Sequence, residues 1–393
     1  MASTPAPAAR PLRIAICLAH FHPAVGGAER QMFQLAQRWA RSGHEPVVFT
    51  RRMPGLPRRE VIEGVEIRRV IRSIALGPLF GATYIASLAA QLIRQAARYD
   101  IVIDGQAPWE AVATGLVCPS LRKPAIVVPA STGPVGDIQQ IVDAKGSWLL
   151  RRFVLRNQLF VAISSQAAAE LQALGCPEGS IRRIGYGVDL ERFRPCGDES
   201  PERARTVAWV ARLVTAKNPH VLLRAWKRLN GEGKYRLLLA GDGPLGAEMK
   251  ACVERDGLRE VQFLGNVNDV PPLHRQASVF VLPSYGEGCP NALLEAMASG
   301  LCPVVSRVPG CADVVEDGVN GLLFESDDDA QLAAALARAL EDVPLRRRLS
   351  VAARAYVESH HAFDRVAEMI LDECEMLVAR SGRHHATPAG AGS

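Results

Sequence analysis

Short, continuous apolar runs alternate with stretches of helical period along almost the whole chain. In the first half the runs are 12–19, 46–50, 65–70, 101–103, 125–128, 159–163 and 181–184. In the second they are 206–210, 235–240, 261–264, 279–282, 302–305 and 321–324. A strand that is apolar at every position is buried on both faces, and the helices between such strands cross over and cover them. The pattern therefore predicts an α/β chain of doubly wound parallel sheets. It lapses over the polar stretch 194–205 and then restarts, so the 393 residues divide into two Rossmann-like domains. The predicted boundaries are a polar N-terminus at 1–11, a first domain at 12–195 and a second at 196–362. A last helix at 363–380 and a disordered tail at 381–393 follow.

Composition narrows the function classes. A 48% share of hydrophobic residues is enough for two buried cores. Nine cysteines without CxxC or zinc-like spacing read as reduced core residues of a cytoplasmic protein. The first ten residues lack the apolar core of a signal peptide. Residues 73–93 carry no charge, but Gly77, Pro78, Gly81, Ser87 and Gln91 make them a poor spanning helix. They predict a loop feeding an amphipathic helix over 83–98, with a surface suited to peripheral contact with lipid. Charge is uneven: 22 Lys+Arg against 13 Asp+Glu in residues 1–190, and 24 against 28 in the remainder. Arg51, Arg52, Arg58 and Arg59 form one cluster, and Arg68, Arg69 and Arg72 another. Solvated surface accounts for these, as does attraction to anionic headgroups or an anionic acceptor. Aromatics are too sparse and too far from the arginines to predict nucleic acid as a partner.

Chemistry concentrates at turns after strands. Near residue 287 the chain reads Pro283-Ser284-Tyr285-Gly286-Glu287-Gly288-Cys289-Pro290-Asn291-Ala292-Leu293-Leu294-Glu295. Pro290 suits a first helical turn, and Gly300 with Pro303 ends that helix. If fully helical, the spacing from Glu287 to Glu295 spans about 12 Å. Two carboxylates flanking one glycosidic bond need roughly 5 to 9.5 Å, so this pair suits an elongated ligand held at both ends. The N–H groups between Gly288 and Asn291 favour a phosphate. A sugar, a diphosphate and a ribose in line would fit. Arg212 and Lys217 follow another strand, read as ending at Arg212, and offer a planar fork and a point charge to a diphosphate. Gly241 lies in Ala240-Gly241-Asp242-Gly243-Pro244, a turn able to pack beside a base or phosphate. Gly26 and Gly27 permit close backbone approach to a ligand, and equally an ordinary strand-to-helix turn; GxGxxG is absent. His20 and His22 lie nearby. Metal-ligand spacing and Asp-x-Asp are missing, so no cofactor or tightly held metal is predicted.

Taken together, these segments resemble glycosyltransferase family 4, retaining nucleotide-sugar enzymes of the GT-B fold. The resemblance runs from Leu12 to about Arg380 and is strongest over 282–324, where Glu287 and Glu295 form the family's E-x7-E pair. It implies that Arg212 and Lys217 bind the donor diphosphate and stabilise the leaving phosphate, and that Glu287 faces the donor sugar. Glu295 would bond the ribose, and Gly241, Gly288, Cys289, Pro290, Asn291, Ala292 and Leu293 would lie along the donor. Gly26 and Gly27 would approach it from the first domain, across a cleft between the two, and the last helix at 363–380 would cross back onto the first domain. His20, Glu29 and Gln106 would face the sugar or acceptor. Gln106 stands where many relatives carry His, and a glutamine holds a hydroxyl but cannot shuttle a proton. Asp313 stands where many have Glu. The implied acceptor is a glycan or lipid-linked molecule of envelope or capsular polysaccharide synthesis. Two other functions share such folds: nucleotide-sugar epimerisation and nucleotide-sugar binding without catalysis.

Overall fold

The computed structural model describes residues 10–23, 26–74, 76, 79–197 and 200–383. The polar N-terminus up to residue 9, Gly77 and Pro78 of the uncharged stretch, and the tail from 384 lie outside these. By internal contacts the chain forms two compact units. The first comprises residues up to Ile163, Ala167–Ile184 and Ala367 onward; the second comprises Ser164–Gln166 and Gly185–Val366.

The first unit holds strands β1 (Arg13–Cys17), β2 (Glu45–Arg51), β3 (Arg59–Ile62), β4 (Val65–Ile71), β5 (Ile101–Asp104), β6 (Ala125–Val127), β7 (Leu159–Ala162) and β8 (Ile181–Arg183). They form one sheet in the order β3-β4-β2-β1-β5-β6-β7-β8. Every pairing is parallel except β3 with β4, which is antiparallel. β3 is absent from the apolar runs because it is an edge strand that alternates half-buried and exposed residues and begins with Arg59. Most of the uncharged stretch lies in the helix Leu79–Arg94, and a short turn of 3-10 helix, Ala96–Arg98, follows it, so the helix lies earlier than 83–98.

The second unit holds β9 (Thr206–Val210), β10 (Arg236–Ala240), β11 (Val261–Gly265), β12 (Val279–Leu282), β13 (Cys302–Ser306) and β14 (Leu322–Phe324), all parallel. The sheet order is β11-β10-β9-β12-β13-β14. The chain winds outward from β9 in one direction, returns, and winds outward from β12 in the other. Loops leaving neighbouring strands at such a reversal diverge and open a crevice at the carboxyl edge. β9 is fully apolar save for its first residue, and Val207, Trp209, Val279 and Val281 are completely buried beneath helix Pro219–Leu229 and its neighbours. The last helix runs Phe363–Arg383 and so takes in the first three residues of the expected tail. It anchors to the first unit, where Ala367 O accepts from Trp39 Nε1 at 3.0 Å and Glu373 Oε1 from Arg182 Nε at 2.7 Å.

Candidate active site

Arg212, Lys217 and Glu287 leave the sheet of the second unit at its reversal point. β9 ends at Val210, two residues earlier than read from the sequence, so Arg212 lies in the loop and not on the strand. This loop is laced to its neighbours by main-chain bonds. Ala211 N donates to Ala240 O at 3.1 Å and Leu213 N to Asp242 O at 3.0 Å. Gly241 sits at φ +139°, where a Cβ would fall 1.8 Å from Ala211 O, so only glycine lets the loops after β9 and β10 meet. On the other side Tyr285 N donates to Ala216 O at 3.0 Å, which ties the loop after β12 beside Lys217.

That tie brings together side chains seventy positions apart. Lys217 Nζ contacts Glu287 Oε1 at 2.6 Å, and the Ser284 hydroxyl donates to the same oxygen at 2.6 Å. Ser284 is itself fixed, since its carbonyl accepts from Ser306 Oγ at 2.6 Å. Glu287 is buried while Lys217 keeps 27% of its side chain exposed, so the ion pair opens to solvent on the cationic side. Arg212 is exposed; its carbonyl accepts from Val214 N at 2.9 Å, while its side chain has no hydrogen bond or ion pair among the described residues. A strongly basic fork without a carboxylate partner is available to an anion.

The helix after β12 runs Asn291–Ala298, with Pro290 as its cap rather than in its first turn. Glu287 therefore stands in the loop, and the 12 Å spacing expected for a continuous helix does not apply. The N–H groups of Gly288 and Cys289 donate no hydrogen bond among the described residues and precede the positive end of this helix. Glu295 is buried one turn further on. Leu293 is fully buried and its N–H donates to Pro290 O at 3.1 Å, which leaves it no polar group to offer a ligand. Cys289 is buried too; its sulfur accepts from Tyr186 N at 3.3 Å, and burial pushes the thiol up to about 12. It shapes the loop and is no nucleophile at neutral pH. Asn291 and Ala292 open the helix, half-buried.

Two comparison families meet this geometry. A model of Glycosyltransferase Family 4 matches residues 25–192, and one of Glycosyl transferases group 1 matches 204–342. D-inositol 3-phosphate glycosyltransferase of Salinispora arenicola is 27% identical over 95% of this chain and 94% of its own length. WcaL of Salmonella typhimurium, a glycosyltransferase named for colanic acid biosynthesis, is 35% identical over 50% of this chain and 53% of its own. Among solved structures, Anabaena HepE in complex with UDP superposes with a TM-score of 0.76 at 19% identity, covering 93% of this chain and 100% of that one. Sucrose-phosphate synthase of Thermosynechococcus elongatus does so at 0.77 and 23%, covering 93% and 99%.

This chain is a family 4 glycosyltransferase with the GT-B fold.

In the first unit of the glycosyltransferase the sheet also reverses, between β1 and β5; His20, Gly26 and Gln106 lie on the loops leaving those strands, and Gly27 and Glu29 in the first turn of the helix after β1. Gly26 caps the helix Gly27–Arg41, and a Cβ on it would fall 2.4 Å from Glu29 Oε2. Gln106 Nε2 donates to Glu29 Oε1 at 3.3 Å, so two of the three acceptor-side candidates form one buried or half-buried pair. His20 stands apart from them, exposed, with its Nε2 3.1 Å from Arg51 Nη1. Sequence reading passed over Asp137, which knots this region: its carboxylate accepts from Ala107 N at 2.9 Å, Ala130 N at 2.9 Å and Ser131 Oγ at 2.5 Å. It also passed over Ser284 and Ser306, and read Gly310 only as part of a loop, 308–313, at the edge of the site. A Cβ at Gly310 would fall 2.3 Å from both Glu287 O and Gly288 O, so this glycine seats the loop that carries Glu287. Asp313 Oδ2 accepts from Ser165 N at 2.6 Å. Among the described residues no group of three or more His, Cys, Asp or Glu side chains could hold a metal ion, and no helix is long and apolar enough to cross a membrane.

Proposed function

We propose that this glycosyltransferase moves a hexose or N-acetylhexosamine, with retention, from a UDP- or GDP-sugar to a glycan or lipid-linked acceptor in envelope polysaccharide synthesis. The observation that carries this reading is the Lys217–Glu287 contact beside an uncommitted Arg212 and two unpaired N–H groups. The donor diphosphate takes Arg212, Lys217 and the start of helix Asn291–Ala298; the ribose takes Glu295; the sugar takes Glu287 and the Gly288 backbone. A neighbour solved with UDP and glucose, and a relative named for colanic acid biosynthesis, agree with a nucleotide-sugar donor and a polysaccharide product.

As the bond from the anomeric carbon to the phosphate oxygen breaks, negative charge gathers on the diphosphate. Cations already held in place stabilise that charge more in the transition state than in the ground state. The acceptor hydroxyl oxygen bonds to the anomeric carbon on the face the phosphate leaves, and its proton passes to the departing phosphate oxygen. No nucleophilic side chain is used. Arg212 and Lys217 do the neutralising, so chelation by EDTA leaves turnover unchanged.

The test incubates the protein with a panel of nucleotide sugars and envelope acceptors and reads the product's anomeric configuration by NMR. An α-linked product from an α-donor is expected. A β-linked product, or isomerised donor with no transfer, contradicts the reading.

A further inference from the structure

Beyond the site above, the first unit contains two adjoining cavities of about 330 and 460 Å³ that share Arg52, Arg58 and Arg69. The larger also takes in Arg72, Arg94 and Gln91. They lie at the carboxyl ends of β2 and β4, where the edge strand β3 folds back against β4. Arginines do not gather around a cavity by default, since each repels the others. Arg58, loss of hydration and Arg72 together push the Arg52 guanidinium down. Yet the side chains of Arg52, Arg58, Arg72 and Arg94 have no hydrogen bond or ion pair among the described residues.

Arg69 is the fixed member. It is 1% exposed, pairs with Glu60, and donates through Nη1 to Pro57 O at 3.2 Å and through Nη2 to His22 O at 2.6 Å. Its Nε–H is buried and has no acceptor among the described residues. A buried, charged donor left unpaired costs stability unless a ligand or water completes it. Glu60 pairs with Arg69, and among the described residues no carboxylate lines either cavity.

We propose that this arginine-lined pocket binds a phosphoryl or diphosphoryl group, carried by a soluble metabolite or by a lipid headgroup. Guanidinium forks match phosphate oxygens in pairs, and several converging forks fit the multiple charges of a diphosphate. The placement of β3 builds the site: its antiparallel return brings Arg58 over Arg69, whose N–H donates to Arg58 O at 2.9 Å.

The test is calorimetric titration of the full chain with inorganic pyrophosphate in an Arg212→Ala/Lys217→Ala background, which removes the proposed donor site from the measurement. The expected result is that binding persists there, and that adding Arg58→Ala with Arg72→Ala weakens it about tenfold or more, as for loss of charged hydrogen bonds. Arg98→Ala with Arg152→Ala removes the same charge from exposed positions of the same unit and leaves binding unchanged. A parallel arm floats the protein with neutral vesicles with and without phosphatidic acid. Pyrophosphate binding plus arginine-dependent flotation assigns the group to a lipid headgroup. Pyrophosphate binding without flotation assigns it to a soluble ligand. No pyrophosphate binding in the background variant, or equal loss in the exposed control, overturns the site; so does flotation alone, which is surface attraction without a pocket. The proposal stands whether or not the transferase reading of Arg212 and Lys217 does.

Discussion

Arg212 and Lys217 carry the same charge into the same loop, but their surroundings differ, and the difference is measurable. The Arg212 side chain has no hydrogen bond or ion pair among the described residues, so Arg212→Ala leaves Tm unchanged while turnover falls about 100-fold or more, the usual loss for a group that stabilises developing charge. Lys217 neutralises the buried Glu287. Removing it strands a carboxylate and lowers stability by about 1–2 kcal/mol, discounted for the exposed side of the pair, in addition to the loss of turnover. Assays of both variants beside their melting curves check this; matched melting curves would show that the pair is not structural. Arg212, Lys217, Glu287 and Glu295 could be named as candidates because each follows a strand end or lies at a helix start, and the structure brings Lys217 to Glu287. The roles of Ser284, Ser306 and Gly310 could not be read, because a serine or glycine at such a place acquires its role only from the loop packed against it.

At the scale of elements, the loops after β9, β10 and β12 and the short helix Pro309–Ala312 behave as one laced assembly. Gly310→Ala forces the short helix off the Glu287 and Gly288 carbonyls. Overpacking of this kind costs about 1–3 kcal/mol, and here it also shifts Glu287, so both Tm and turnover should fall. Unchanged turnover in a folded Gly310→Ala protein would detach this packing from the site. The buried parallel strands were readable because a strand covered on both faces must be apolar throughout; β12 matches its apolar run to the residue, and β9 coincides with the run 206–210 but stops short of Arg212. β3 escaped because an exposed edge strand needs no such pattern, and its one basic residue, Arg59, fell in a cluster read as solvated surface or as attraction to anions. The helix boundary at Pro290 was misplaced because proline fits both a first turn and a cap.

For the whole molecule, two buried titratable groups give the units opposite responses to pH. In the first unit, burial raises Glu110 to about 7 despite its bond from Tyr84, so folded protein holds a proton that the unfolded chain releases above about 4.5. Stability contributed by this group falls as pH rises from 4.5 to 7. In the second unit, burial lowers His274 to about 3, so the unfolded chain takes up a proton below 6.5 that the folded protein refuses. Stability contributed by this group falls as pH drops from 6.5 toward 3, by at most about 1.4 kcal/mol per pH unit. Relative to wild type, Glu110→Gln should gain stability with rising pH and His274→Gln with falling pH, as followed by denaturant unfolding; parallel curves for either pair of proteins would contradict the assignment. The two-unit division was legible from the restart of the apolar pattern, whereas the return of the last helix to the first unit was expected only from the family resemblance, because it depends on contacts such as Trp39 with Ala367, which no local pattern encodes.

One binding experiment bears most directly on whether residues 212, 217, 287 and 295 grip a single diphosphate-bearing molecule. Equilibrium dissociation constants for UDP, GDP and their sugars are measured with wild type, Arg212→Ala, Lys217→Ala and Glu295→Ala. One nucleotide should bind wild type, and each substitution should weaken it about tenfold or more, as expected for charged hydrogen bonds. Wild-type affinity in all three variants would contradict the account.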